Sequence, residues 1–156
     1  MITNLDHPPE TFVYLTRIFP APREKVFRAW TEPEILKKWW GPKGAWTPVA
    51  EIDLRVGGKY RFGMQFPNRE ILYVNGIYRE VRPPERLVFT WRWEKVDMDF
   101  GESQVTLEFH ERGPVTEVTL RHENLPTAEV CEIHRQGWSD FFDKFTEISS
   151  GKEEFL

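Results

Sequence analysis

The sequence predicts an α+β domain: a curved antiparallel sheet of about seven strands spanned by one long C-terminal helix, with two short helices after the first strand. Three features point there. Between Trp46 and His122 apolar and polar residues alternate with a period of two, in runs separated by short turns, as in an antiparallel meander. From Thr127 to Ser150 the apolar period is helical and unbroken. Between Pro22 and Trp40 two brief helical patterns follow a strand-like run.

Residues 11–19 read as the first strand, with Phe12, Tyr14 and Ile18 on one face and Val13, Leu15 and Arg17 on the other. Apolar groups on both faces predict cover on both sides for part of its length. Pro22 suits the first turn of a helix, where its missing N–H has no partner to lose. Val26, Phe27 and Trp30 then form a buried stripe. Thr31, Pro33 and Glu34 match a capping-box start for the second helix. Ile35, Leu36, Trp39 and Trp40 are its apolar side, and Gly41-Pro42 stops it.

Residues 49–54 form the next strand, and Val56-Gly57-Gly58-Lys59 turns the chain. Tyr60, Phe62, Met64 and Phe66 alternate with Lys59, Arg61 and Gln65, and Gly63 among them predicts a bend or bulge. A strand over residues 71–81 ends at the turn Arg82-Pro83-Pro84-Glu85. Leu87, Phe89, Trp91 and Trp93 share one face of the following strand, and Val88, Thr90 and Arg92 the other. Residues 98–101 read as loop. Val105, Leu107 and Phe109 precede the turn Arg112-Gly113-Pro114, and Val118, Leu120 and His122 mark the last strand.

In the final helix Thr127 is the cap and Glu129 sits in the first turn. Val130, His134, Trp138, Phe141, Phe145 and Ile148 form the stripe, with Phe142 beside them and Gly151 as the stop. Such a helix is about 35 Å long, against about 27 Å for an eight-residue strand, so it crosses the whole sheet. A straight rod on a curled sheet touches the middle better than the ends, which leaves a wedge where a pocket can form. Gly137 lies mid-helix, where it costs about 1 kcal/mol against alanine. Close approach to the sheet, room for a ligand and a kink all account for it. Residues 11–151 read as one domain, between a flexible leader over 1–10, marked by Pro8-Pro9, and a tail over 152–156.

Composition narrows the function classes. The 156 residues suffice for one full-sized core, and 7 Trp and 12 Phe predict an ordered aromatic interior. With 21 basic and 25 acidic residues and no Lys/Arg block, a nucleic-acid footprint is not expected. The single cysteine, Cys131, rules out an intrachain disulfide framework and fits a reducing compartment. Residues 1–10 carry neither a basic n-region nor an apolar run, and no stretch reaches membrane-spanning length. A cytoplasmic protein without membrane insertion is the expectation.

Catalytic constellations are missing from the pattern. His7, His110, His122 and His134 are scattered, without HExxH or CxxC spacing, so neither a metal nor a cofactor is expected. Ser103 is not in a nucleophile elbow, and Gly57-Gly58-Lys59 lacks the spacing of a phosphate loop. Asp97 with Asp99 and Glu153 with Glu154 read as solvated carboxylates, and Cys131 as a packing residue. His122 and His134 face the interior. Core histidines bonded to backbone are the favoured reading, and imidazoles gripping the polar end of a ligand the alternative. Arg17, among apolar neighbours, needs a partner; a structural salt bridge comes first, and the anchor of an anionic ligand second. Trp39, Tyr60, Phe62, Met64, Tyr73, Trp91, Trp93, Phe109, His122, His134, Trp138 and Phe142 are the candidate cavity lining, a set that on the residues alone reads more often as plain core than as a ligand cage.

The runs Arg17–Pro22, Val26–Glu34, Trp39–Pro42, Asp53–Tyr60, Gly76–Trp91, Ser103–Leu107 and Thr116–Leu120, closed by Gly137-Trp138, carry a resemblance in their order. Over residues 11–150 the chain resembles the family named after the activator of the ninety-kilodalton heat-shock protein's ATPase. That family lies in the START-like, helix-grip superfamily (SRPBCC, birch-pollen-allergen-like). The resemblance implies a helix-grip fold with a deep apolar cavity under the last helix. Members of the superfamily bind lipids, sterols and polyketides, and some cyclise polyketides. The eukaryotic namesake is a multi-domain cochaperone whose separate N-terminal domain is expected to have no counterpart in this sequence.

Three functions are therefore expected, in order. The first is non-enzymatic binding of a small hydrophobic molecule (lipid, polyketide or aromatic) between sheet and helix, with His122, His134 and Arg17 as polar contacts. The second is a cochaperone-like or stress-response module that engages a chaperone or another protein through an exposed apolar patch. The third is a cyclase or hydrolase using the same cavity, against which the missing acid–base pair counts. A homodimer through exposed aromatics near Trp39-Trp40 is a further partner expectation.

Overall fold

The computed structural model describes residues 12–151; the leader and tail expected at 1–10 and 152–156 lie outside them. Seven antiparallel strands, β1 (Phe12–Phe19), β2 (Trp46–Ile52), β3 (Lys59–Gln65), β4 (Leu72–Arg82), β5 (Arg86–Trp93), β6 (Ser103–Arg112) and β7 (Val115–Glu123), form one open sheet in the order β1-β7-β6-β5-β4-β3-β2. From β2 to β7 each strand pairs with the next in sequence. The first strand closes on the last, with Val13 opposite His122 and Arg17 opposite Val118. Helices α1 (Arg23–Thr31) and α2 (Pro33–Trp39) carry the chain from one sheet edge to the other, α1 against β6 and β7 and α2 against β2. Helix α3 (Ala128–Gly151) spans the concave face. The expected α+β helix-grip architecture is the observed one.

Inward alternation holds along the sheet. Val13 and Phe19 on β1, Tyr60, Phe62 and Met64 on β3, Val105, Leu107 and Phe109 on β6, and Val118, Leu120 and His122 on β7 are all buried. Each large apolar side chain so buried contributes about 1.5–3 kcal/mol. The helices lock onto one another through rings. Trp39 lies 4.7 Å from both Trp30 and Phe145, and Phe145 lies 4.6 Å from Phe19, which meets Phe142 edge-on at 5.6 Å. The Trp39 indole donates to the Ala29 carbonyl at 2.9 Å, which satisfies its one polar atom inside this cluster.

Several local expectations are corrected. Tyr14 and Ile18 are 54% and 50% exposed, so β1 is covered on its inner face, not on both. Thr31 does not cap α2; it ends α1, and its hydroxyl donates to the Phe27 carbonyl one turn back. Glu32 is the N-cap of α2 and makes no side-chain cap bond, while Pro22 precedes α1 as its N-cap residue. Trp39 and Trp40 are fully buried, which removes the exposed aromatics expected to drive dimerisation. On β5, Val88 and Thr90 are buried although they face outward. The ladder is irregular there. The Ile77 N–H donates to the Thr90 hydroxyl, and the register shifts between Tyr78 and Glu80. The bulge near Gly63 falls between Trp46 and Val49 on the facing β2.

Candidate functional site

Where α3 diverges from the sheet, a cavity of about 150 Å³ remains. Trp91 and Trp93 of β5 and Met64 of β3 form its floor. Helix α3 forms its roof with Ile133, His134, Gly137, Trp138 and Phe141, Met98 and Phe100 of the β5–β6 connection close one side, and Pro42 completes the wall. Of the lining residues, Ile133 is half exposed. None of the described residues in the wall carries a formal charge.

The helix explains why this end stays open. Residues 133, 134, 137, 138 and 141 occupy one side of α3 over two turns, whereas Phe142 and Phe145 point into the ring cluster around Phe19 and Trp39. At the centre of the first group stands Gly137. A β-carbon built there would meet no heavy atom within 4 Å. The glycine is therefore not required for close approach to the sheet. It leaves one turn of helix bare over the cavity.

Behind the wall lies a buried polar seam. The Trp138 indole donates to His122 Nδ1 at 3.0 Å, so that nitrogen is unprotonated. The proton sits on Nε2, which donates to Ser103 Oγ at 2.7 Å, and that hydroxyl donates to the Trp91 carbonyl at 3.1 Å. His134 is the complementary tautomer. Its Nε2 accepts from Trp93 at 3.1 Å, and its Nδ1–H donates to the Val130 carbonyl at 2.9 Å. The two imidazoles are 5.1 Å apart. Burial pushes the His122 pKa well below the ordinary histidine range, and His134 beside it acts in the same direction. Burial also lowers His134, against the opposing pull of the Val130 carbonyl. Both rings are neutral, and both are committed to protein partners.

Of the residues singled out from the sequence, Met64, Trp91, Trp93, His134 and Trp138 line this cavity. The others lie elsewhere. His122 stands behind Trp138, while Trp39 and Phe142 belong to the ring cluster. Phe109 packs on Phe27 at 5.2 Å, and Phe62 lies between Trp40 and Tyr60. Tyr60 donates to the Thr90 carbonyl at 2.6 Å. Tyr73 lies on the outer face under the Arg61 guanidinium, 3.7 Å from its ring centre. Arg17 reaches Asp143 at 2.7 Å, and its side chain is 29% exposed, so it is a half-buried ion pair away from the cavity. Ile133 and Phe141 were legible as the i, i+4, i+8 companions of Gly137. Met98 and Phe100 were legible only as apolar residues in a loop, and nothing in the sequence marks Pro42. Among the described residues no group of His, Cys, Asp and Glu could hold a metal, and no helix is long and apolar enough to cross a membrane.

No curated protein matches the sequence. Solved structures do. Protein CV1439 from Chromobacterium violaceum superposes with a TM-score of 0.82 at 27% identity, over 91% of this chain and 99% of that one. The AHSA1 protein SPO3351 from Silicibacter pomeroyi gives 0.80 at 26% identity, over 89% and 97%. Protein NE0264 from Nitrosomonas europaea gives 0.77 at 25% identity, over 93% and 97%. The family model for the Activator of Hsp90 ATPase homolog 1-like protein matches residues 20–150, and with the seven-stranded sheet and its spanning helix this places the chain in that family.

Proposed function

We propose that this protein binds a small, neutral, apolar molecule in the cavity beneath α3 and does not transform it. The family accommodates both ligand-binding and cochaperone-like roles. What favours binding is Gly137, a residue that weakens its helix and whose added β-carbon would meet no heavy atom within 4 Å, set over an apolar hollow. An apolar cavity of about 150 Å³ has room for a benzene-sized guest, whereas sites for drug-sized ligands run to about 300–1,000 Å³. The occupant is therefore a single ring, or one ring or chain end of a larger lipid or polyketide whose remainder stays outside. Trp91, Trp93 and Trp138 offer faces on which a flat ring stacks. Catalysis is disfavoured because His134, the wall's titratable side chain, already uses both nitrogens.

The chaperone reading finds less support. The exposed large apolar side chains among the described residues are dispersed: Tyr14 and Ile18 on one edge strand, Trp46 on the other, Leu54 and Val56 between β2 and β3, Val96 between β5 and β6, and Ile133 on α3. That the sequence has a single cysteine, Cys131, agrees with a reducing, cytoplasmic setting, and we propose that location.

The test is thermal denaturation with a panel of single-ring aromatics, repeated on Gly137→Leu. A ligand at a hundred times its Kd adds about 2.7 kcal/mol to stability, so the wild type should melt several degrees higher with at least one member. The leucine variant, its cavity filled, should not respond. A panel without effect, or equal stabilisation of both proteins, overturns the proposal.

A further inference from the structure

The rings of the cavity wall stand at steep angles to one another. Trp91 and Trp93 meet at 89° with centroids 5.5 Å apart, and Trp138 and Phe141 at 64° and 5.2 Å. A flat guest lying parallel to one member of the first pair is edge-on to the other. Offset-stacked and edge-to-face contacts are the two arrangements that aromatic rings prefer. The Met64 and Met98 thioethers, also in the wall, favour ring edges as well. The same side chains offer the hollow no free N–H. The Trp93 N–H goes to His134, the second His134 nitrogen to Val130, and the Trp138 N–H to His122. The Trp91 nitrogen is sealed from solvent, so it faces away from the cavity.

Building on the binding function proposed above, we infer that the inserted group is an aromatic hydrocarbon ring, chosen over a saturated ring of similar size and over a ring with a heteroatom at its buried end. A hollow that selected by aversion to water alone would take the saturated ring, the less water-soluble of the two. Two perpendicular ring planes reverse that order. Only an aromatic guest has the quadrupole that both contacts use, and each such contact is worth about two- to tenfold in affinity beyond area burial. A ring nitrogen or hydroxyl turned inward loses its water and finds no side-chain N–H in return. Polar substituents are therefore confined to the side where Ile133 is half exposed. For a larger lipid or polyketide, the end that enters is its aromatic ring and not an alkyl chain.

The probes are benzene, cyclopentane and pyrazine, three rings of similar volume. Pyrazine has nitrogens at opposite corners, so one faces inward whichever way it enters. Each is titrated into wild-type protein carrying ¹³C at its methionine methyls. Benzene should move the Met64 and Met98 methyl signals and bind about threefold or more tighter than cyclopentane, and pyrazine should be weaker than benzene by about tenfold or more. Trp91→Leu removes one plane of the corner and no side-chain hydrogen bond, and should erase the lead of benzene over cyclopentane. If cyclopentane binds the wild type as tightly as benzene, if pyrazine comes within about threefold of it, or if the lead survives in Trp91→Leu, the inference fails and the binding function stands. If no probe moves the Met64 or Met98 signals, both proposals fall. Should Trp91→Leu not fold, the wild-type comparison alone decides.

Discussion

Replacing Gly137 by alanine should stabilise this protein. Glycine in a helix interior is about 1 kcal/mol less favourable than alanine, because the unfolded chain has more backbone freedom to lose. Usually part of that gain is cancelled by a clash, which is why a buried helical glycine is so often untouchable. Here the new methyl group meets nothing within 4 Å, so the backbone term stands alone. The expected gain of about 1 kcal/mol corresponds to a rise of about 2–4 °C in Tm for a chain of this size. Gly137→Leu keeps most of the helix gain and adds apolar burial inside the hollow. Its total should exceed that of alanine unless overpacking, worth about 1–3 kcal/mol, intervenes. Urea denaturation measures both, and an unchanged m-value would confirm that the difference lies in stability and not in the extent of unfolding. An alanine variant less stable than wild type by about 1 kcal/mol would refute the reasoning. The glycine would then be a packing residue, and the hollow beneath it would not be free space.

Three further outcomes follow from the same structure. Stability should fall as pH drops below about 7, because burial lowers the folded-state pKa of His122 and His134 beneath the unfolded value of about 6.5, so the unfolded chain takes up protons first; above about pH 7 they add no slope. The urea midpoint of the wild type should track this, with a shallower slope in His122→Gln. Gly76→Ala should cost more than about 4 kcal/mol or abolish folding, since a β-carbon there overlaps the Thr90 carbonyl and comes within 2.6 Å of the Tyr60 ring; soluble yield and circular dichroism report it. Asp143→Ala should cost less than about 1 kcal/mol in the same urea assay, because the Arg17–Asp143 pair is substantially exposed.

The sheet was legible because a strand with one covered face writes its burial into alternate residues, as Tyr60, Phe62 and Met64 on β3, Ser103 to Phe109 on β6 and Thr116 to His122 on β7 do. The last helix was legible for the equivalent reason at its own period, down to the Thr127 cap, whose hydroxyl accepts from the Val130 N–H. Thr31 misleads because a threonine ahead of a proline serves two roles with the same letters. It can cap the helix that follows, or close the helix that precedes by bonding back to its i−4 carbonyl, and only the turn between α1 and α2 decides. Val88 and Thr90 carry no sign of burial on the outer face, since a register shift between β4 and β5 is a property of two strands and not of either sequence. Arg17 needed a partner by its position, but Asp143 lies 126 residues away, a distance no local pattern spans.

The cavity was the hardest feature to place, and the reason lies in α3. Its apolar stripe is continuous in sequence from Val130 to Ile148 but serves two different purposes in space. Toward the C-terminal half, Phe142 and Phe145 interlock with Phe19, Trp30 and Trp39, rings from three other elements that arrive from both sides and leave no gap. Toward the N-terminal half, Trp138 and His134 are drawn into hydrogen bonds with His122 and Trp93, which hold these rings against the sheet by their polar edges. Rings tethered in this way cannot swing into neighbouring space, and Gly137 brings no side chain that could. The hollow thus follows from where the hydrogen bonds fix large groups rather than from a shortage of apolar residues. A count of aromatic positions could name Trp91, Trp93 and Trp138, but it could not separate them from Trp39 and Phe142, which have the same composition and the opposite consequence.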